Sequence, residues 1–416
     1  MKYGLIGAKL SHSFSKEIHG RLFDYPYELT ELSTEQLDVF LRERDFCAVN
    51  VTIPYKETVI PYLDEIDTRA QAIGAVNTVV NRDGKLYGYN TDFDGLYALI
   101  QRNKIELSSK KVLILGSGAT SKTAMAVVRY AGCGEVLKVS RTAQEGCITY
   151  EQARENHTDA QVIINTTPCG MYPNTGESPI DLTTFSCLEG VIDVVYNPLR
   201  TKLICDAQKR NIPAAGGLYM LIAQAVAAAQ HFVGAVVPQE RVDELYADMM
   251  ARENIVLIGM PASGKSTVGK RLAEMMGRPF VDTDVKIVEK SGMAIPDLFE
   301  QVGESGFRDL ESEVIHEISR EKGCVIAVGG GAVLRQKNVE SLRENGRLYF
   351  VDRSLNLLMP MEDRPLSATV ADLEKRYDER YPIYSAVCDV RILADAAVDD
   401  VANRIREDFL YEHFGD

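Results

Sequence analysis

The chain has no apolar stretch long enough to span a membrane, and Met1-Lys2-Tyr3-Gly4-Leu5-Ile6-Gly7 is too short an apolar run for a secretion signal. It has no excess of positive charge: 46 Lys and Arg against 60 Asp and Glu give a net charge of −14. That argues against a general binder of nucleic acid or anionic membrane and leaves only local basic sites for anionic ligands. The eight cysteines, at 47, 133, 147, 169, 187, 205, 324 and 388, include no C-x-x-C pair and no metal-like cluster with histidine. Reduced thiols in a cytosolic enzyme are the simplest reading. No internal repeat, low-complexity tract or Gly/Ser-rich linker interrupts the 416 residues, a length that predicts two or three closely joined domains.

What is present begins with Gly259-Met260-Pro261-Ala262-Ser263-Gly264-Lys265-Ser266-Thr267, directly after the apolar run Ile255–Ile258. Strand, G-x-x-x-x-G-K-S loop and helix together form a phosphate cradle, in which backbone N–H groups and the helix start face the β-phosphate. Ala262 to Thr267 would hold ATP, with Lys265 on the β and γ oxygens and Ser266 on Mg²⁺. A nucleotide domain is therefore expected from residue 254 to 416.

Upstream, short apolar runs at Leu5–Ile6, Ala48–Ile53, Val112–Leu115, Val136–Val139, Gln161–Asn165 and Val191–Val195 alternate with helix-compatible segments. This predicts an α/β fold with a doubly wound parallel sheet. Leu218–Val233 and Gln239–Arg252 read as helices. Further strands are expected near Pro279–Val281, Val325–Val328 and Leu348–Val351, so both halves are α/β.

Gly116-Ser117-Gly118-Ala119-Thr120-Ser121 follows a strand and opens a helix, as a dinucleotide fingerprint does, with serine for the third glycine. The next strand ends at Ser140-Arg141-Thr142, where an NAD site would place a carboxylate for the ribose diol. A cation and two hydroxyls there suit a 2′-phosphate. The following residues, Thr142-Ala143-Gln144-Glu145-Gly146, carry no second arginine.

Four polar clusters follow predicted strands: Ser11-His12-Ser13-Phe14-Ser15, Asn50-Val51-Thr52-Ile53-Pro54-Tyr55-Lys56, Gly74-Ala75-Val76-Asn77-Thr78 and Asn90-Thr91-Asp92. Strand ends are where open α/β sheets take ligands, and a polyhydroxylated acid needs several oriented donors and acceptors. Taken singly, each has a plainer reading. Lys56 is a surface lysine, Asp92 a helix cap, His12 and His19 are structural, and Met220 and Gln224 belong to the interior.

Together they carry a resemblance. The first 250 or so residues resemble shikimate dehydrogenase through S-H-S-x-S, N-V-T-x-P-x-K, G-A-V-N-T, N-T-D, G-x-G-x-x-S, S-R-T, Asp193-Val194-Val195-Tyr196-Asn197-Pro198 and Gly217-Leu218-Tyr219-Met220-Leu221-Ile222-Ala223-Gln224. The resemblance implies a substrate domain over 1–100, completed by helices from about 217–252, and a Rossmann-like NADP domain over 101–216. It places Ser13, Ser15, Thr52, Asn77, Tyr196 and Gln224 on the substrate, with Lys56 and Asp92 as the catalytic pair. Gly116, Ser117, Gly118, Ala119, Thr120, Ser140, Arg141, Thr142, Val194 and Gly217 fall to NADP. Departures are Lys16, Gly20, Ala119, Ser140 and Tyr219, the last in place of a usual glycine.

In the second half, Phe280-Val281-Asp282-Thr283-Asp284 ends a strand with two carboxylates expected to point the same way from an extended chain. Val328-Gly329-Gly330-Gly331 permits close backbone approach to a ligand. With Phe307-Arg308, Glu311, Arg364-Pro365-Leu366 and Arg380-Tyr381-Pro382, residues 254–416 resemble shikimate kinase, a P-loop fold of the nucleoside-monophosphate-kinase kind. The resemblance puts Asp284, Arg308, Gly330 and Arg380 on shikimate, Arg364 on the ATP phosphates, and Mg²⁺ between Ser266 and Asp282, with Asp284 as candidate base. The implied whole is a bifunctional enzyme that turns 3-dehydroshikimate into shikimate 3-phosphate with NADPH and ATP. A quinate-type NAD dehydrogenase fused to another small-metabolite kinase, and a non-catalytic regulator, remain open as alternatives.

Overall fold

The apolar runs become the inner strands of three sheets in a computed structural model that describes residues 2–10, 13–358 and 370–414. Residues 1–246 and 247–416 form two compact units. The first unit holds two sheets. One contains β1 (Tyr3–Gly7), β2 (Tyr27–Glu31), β3 (Ala48–Val51), β4 (Glu65–Ile66), β5 (Thr78–Arg82) and β6 (Lys85–Tyr89), in the order β2-β1-β3-β5-β6-β4. The other contains β7 (Lys111–Leu115), β8 (Glu135–Ser140), β9 (Cys147–Thr149), β10 (Val162–Asn165), β11 (Gly190–Asp193) and β12 (Ala214–Ala215), in the order β12-β11-β10-β7-β8-β9. Every pair in this second sheet is parallel, and the order reverses at β7. The turn after β7 therefore opens at a topological switch point, where dinucleotides bind.

The first sheet is not wholly parallel. β5 runs antiparallel to β3 and to β6. The pairing of β5 with β6 follows from the turn at Asp83-Gly84, whose φ values of 52° and 83° suit a two-residue hairpin. This hairpin turns Asn77 and Asn90 back towards the same end of the sheet.

The second unit contains one parallel sheet, β14 (Phe280–Asp282), β15 (Val325–Ala327), β13 (Asn254–Ile258), β16 (Gly346–Asp352) and β17 (Val390–Leu393), named in spatial order. Helices cover both faces, which is why β13 is a continuous apolar run. Ile255 and Leu257 pack into the core on one face, Val256 and Ile258 into that on the other. All four are fully buried, and each such side chain contributes on the order of 2 kcal/mol relative to exposure.

In the first unit, Asp92 and Gln224 are carried by two helices that pack on each other. Asn90 caps the helix Thr91–Arg102, its side chain accepting from Phe93 N–H at 3.1 Å. That helix packs on Leu218–Val233 at Gly95, where a Cβ would meet Met220 O at 2.5 Å. Among the described residues no helix is long and apolar enough to cross a membrane, and all eight cysteines are free.

Candidate active sites

The eight residues expected to hold the dehydrogenase substrate line a single cavity of about 450 Å³ in the first unit. Ser13 comes from the loop after β1, Ser15 opens the helix Ser15–Leu22, Thr52 and Lys56 come from the turn after β3, and Asn77 immediately precedes β5. Asp92 sits in the first turn of Thr91–Arg102, Tyr196 lies beyond β11, and Gln224 reaches in from Leu218–Val233. His12 lies outside the described residues.

At the centre, Lys56 Nζ donates to Asp92 Oδ2 at 2.5 Å, and Asn77 Nδ2 donates to Asp92 Oδ1 at 2.9 Å. Both carboxylate oxygens are thus engaged. Capping falls to Asn90, so Asp92 is free to face the cavity. Asn77 Nδ2 also lies 3.4 Å from Gln224 Oε1, while its Oδ1 accepts from Thr91 N–H at 2.7 Å. The amide is therefore oriented by backbone as well as by side chains.

Asn50, absent from the expected set, lines the same cavity. Its Nδ2 donates to Thr78 Oγ1 at 3.1 Å, and its Oδ1 accepts from Tyr27 O–H at 2.7 Å. Behind it His19 stacks on Tyr27 at 4.0 Å. Burial lowers the pKa of His19 to about 3, so the ring is neutral and structural. Burial also raises the Tyr196 phenol, which keeps its proton and remains a donor on the cavity wall.

A second cavity, of about 1380 Å³, is lined by Gly116, Ser117, Gly118, Ala119, Thr120, Ser140, Arg141 and Thr142. Val194 and Gly217, expected with that group, line the smaller cavity instead. The two cavities share Lys56, Thr120 and Met171, so they adjoin at the lysine. Exposed apolar side chains at Ile53 (70%) and Met171 (43%) edge the larger one. Hydropathy does not single such residues out, because it registers apolar character and not where that character is left open to water. Tyr219 serves elsewhere: its hydroxyl accepts from Gln239 Nε2 at 2.9 Å and its ring meets Tyr246 edge-on.

In the second unit the loop after β13 turns through Gly259, Ala262 and Gly264, with φ of 145°, 64° and 90°. Lys265 is folded onto that loop, donating to Gly259 O at 3.0 Å and Met260 O at 2.7 Å. Ser266 Oγ donates to Asp282 Oδ2 at 2.6 Å. The two acidic residues do not lie on one extended strand. Asp282 ends β14 and caps the helix Thr283–Ser291, accepting from Asp284 N–H at 3.0 Å. A strand-to-helix turn, not strand periodicity, brings both carboxylates to this end of the sheet.

Asp284 faces the glycine run: a Cβ on Gly329 would lie 2.9 Å from Asp284 Oδ1 and 2.8 Å from Glu311 Oε1. A Cβ on Gly331 would fall on the Arg308 guanidinium. Arg308 Nη1 donates to the fully buried Glu311 at 2.7 Å. Burial raises the Glu311 carboxyl against the pull of Arg308. Tyr384 donates to Gly330 O, and its phenol is pushed up to about 12 by burial against the opposing charges of Arg380 and Arg308. Asp284, Arg308, Gly330 and Arg380 therefore converge on one place. Arg364 lies outside the described residues.

A Gly-rich turn at a sheet's switch point beside a carboxylate-oriented lysine defines a nicotinamide-dinucleotide dehydrogenase, and the loop after β13 defines a P-loop phosphotransferase. Comparison with known proteins makes both particular. Residues 5–79 match the shikimate dehydrogenase substrate binding domain and residues 261–409 match shikimate kinase. The chain is 34% identical over 268 residues to shikimate dehydrogenase (NADP(+)) of Clostridium perfringens, covering 60% of this chain and 98% of that one. Among solved structures, shikimate dehydrogenase 1 of Peptoclostridium difficile superposes with a TM-score of 0.56 at 34% identity, covering 60% and 98% of the two chains. Shikimate 5-dehydrogenase of Thermus thermophilus, in complex with NADP(H) and shikimate, gives 0.53 at 30% identity, covering 59% and 97%. The chain belongs to the shikimate dehydrogenase family and carries a shikimate kinase domain behind it: it is an oxidoreductase joined to a kinase.

Proposed function

We propose that the chain reduces 3-dehydroshikimate to shikimate with NADPH and then phosphorylates shikimate to shikimate 3-phosphate with ATP, two consecutive steps towards aromatic amino acids. The observation that carries the reading is the meeting of the two cavities of the first unit at Lys56. Bound in the larger cavity, NADPH supplies a hydride. Lys56, held by Asp92, stands where that cavity opens on the substrate and donates the proton that the developing alkoxide needs. Asn77 and Gln224 orient the ring hydroxyls, while Ser13, Ser15, Thr52 and Tyr196 take the remaining polar groups. The larger cavity fits NADP because backbone N–H groups of the Gly116–Gly118 turn suit a pyrophosphate and Arg141 suits a 2′-phosphate.

In the second unit Arg308 and Arg380 suit the carboxylate of shikimate. Asp284 accepts the proton of the attacking hydroxyl, and catalysis otherwise rests on positioning and charge. Ser266 Oγ and Asp282 Oδ2, side by side at the phosphate loop, fit Mg²⁺. Lys265 is held on the phosphate loop by the carbonyls of Gly259 and Met260, at the place where phosphate oxygens would lie. The domains we assign are 1–100 with 217–252, 101–216 and 254–416, since each encloses one sheet. Small anionic metabolites in the cytoplasm are the partners this arrangement suits.

The test is a coupled assay with 3-dehydroshikimate, ATP and either NADPH or NADH. NADPH oxidation followed by shikimate-dependent ADP release is expected. Faster turnover with NADH and quinate-type substrates, or no turnover at all, would overturn the reading.

A further inference from the structure

We propose that Arg154 is the second cation of the cofactor cavity and binds the 2′-phosphate of NADP together with Arg141, an inference that rests on the assignment of that cavity to NADP. The loop after β8 supplies no second positive charge. It is folded back instead, with Gln144 Nε2 donating to Ser140 Oγ at 2.8 Å. The helix that follows the neighbouring strand supplies the charge. β8 and β9 pair in parallel with Ser140 opposite Thr149, so Tyr150 stands beside Arg141.

Tyr150 opens the helix Tyr150–Asn156, which is fixed by a capping box. In it Thr149 Oγ1 accepts from Gln152 N–H at 3.1 Å, and Gln152 Oε1 accepts from Thr149 N–H at 2.8 Å. Arg154 lies four residues past Tyr150, one turn on and on the same helix face. Tyr150 and Arg154 both line the cavity that holds Ser140, Arg141 and Thr142.

The charges on that wall point to an anion. Among the described residues neither Arg141 nor Arg154 makes an ion pair or a hydrogen bond. The cavity's carboxylates do not neutralise them: Glu57 is held by Lys122 at 2.7 Å, and Glu177 pairs with neither arginine. Two exposed guanidinium groups on one cavity, neither with a carboxylate partner among the described residues, suit a multiply charged anion. A phosphate monoester dianion matches the two forks. A 2′-hydroxyl offers no charge to either.

The test is calorimetric binding of 2′,5′-ADP and of 5′-AMP to the whole chain. Arg154→Ala is expected to weaken 2′,5′-ADP about tenfold and to leave 5′-AMP unchanged, with Arg154→Lys in between. Because both cations are exposed, the gap should narrow as salt rises. Unchanged 2′,5′-ADP affinity in Arg154→Ala, with a loss in Arg141→Ala, would overturn this inference and leave the NADP reading standing. Equal losses for both nucleotides would also overturn it. An unsubstituted chain that prefers neither nucleotide would overturn the NADP reading itself.

Discussion

Gly95 lies where the helix that carries Asp92 meets the helix that carries Gln224, and Gly95→Ala tests whether that contact positions the two side chains. In an exposed helix the change would stabilise by up to about 1 kcal/mol through helix propensity. Here the new Cβ would lie 2.5 Å from Met220 O, 2.9 Å from Gln224 Cβ and 3.1 Å from Gln224 N. Two of these three atoms are main chain and cannot swing away, so the helices Thr91–Arg102 and Leu218–Val233 must part by roughly 1 Å to restore ordinary carbon contact. Overpacking of this kind costs about 1–3 kcal/mol, so the net change is destabilising by roughly 1 kcal/mol after the helix gain is set against it.

The displacement matters more than the energy. Asn77 and Gln224 are already 3.4 Å apart, and Asp92 rides on the helix that moves. A rise of about tenfold in KM for shikimate oxidation is expected, as for the loss of one charged-group or paired hydrogen bond. The melting point of the dehydrogenase unit should fall by a few degrees. Shikimate-dependent ADP release should be unchanged, which serves as the internal control. A variant with a higher melting point and an unaltered KM would refute the close approach and, with it, the account of how Gln224 is placed.

The geometry fixes three further outcomes. Lys56→Ala should lower dehydrogenase kcat by about 10²- to 10⁴-fold and spare the kinase, while Lys265→Ala should do the reverse; loss of both activities in either folded variant would exclude independent sites. Gly331→Ala places a Cβ on the Arg308 guanidinium, so KM for shikimate in the kinase reaction should rise while KM for ATP holds, and an equal rise in both would refute the assignment of Arg308. Asp193 accepts from Thr201 Oγ1, Asn165 Nδ2 and Val195 N–H, yet burial raises its pKa from 3.8 to about 6. Its native form therefore binds more protons than the unfolded chain between those values, so its contribution to stability is present below pH 3.8 and lost as pH rises through 6, by roughly 3 kcal/mol in all. Denaturant unfolding of the unsubstituted chain and of Asp193→Asn at pH 4.5 and 7 should show the gap between them shifting in favour of the variant at pH 7; a constant gap would refute the buried-acid reading.

The strand positions were legible because a strand buried on both faces must be apolar throughout, as Ile255–Ile258 and Val112–Leu115 are. The candidate site residues were legible for a related reason: open α/β sheets carry ligands at strand ends, so polar clusters after apolar runs mark candidate sites. The hairpin at Asp83-Gly84 was missed although it carries a clear turn signal, because the alternation of strand and helix dominated the pattern around it. Asp282 and Asp284 reach the same end of the sheet through a capping turn and not through the extended chain that their spacing suggests. Asn50 and Arg154 could not be ranked from local pattern alone. Asn50 gains its meaning from Tyr27 and Thr78, 23 and 28 residues away, and Arg154 from the register of β8 on β9. What a linear pattern conveys is the type of chemistry at each strand end. Which neighbouring element completes that chemistry depends on strand order and helix approach, and here both hinge on contacts that only the assembled sheets create.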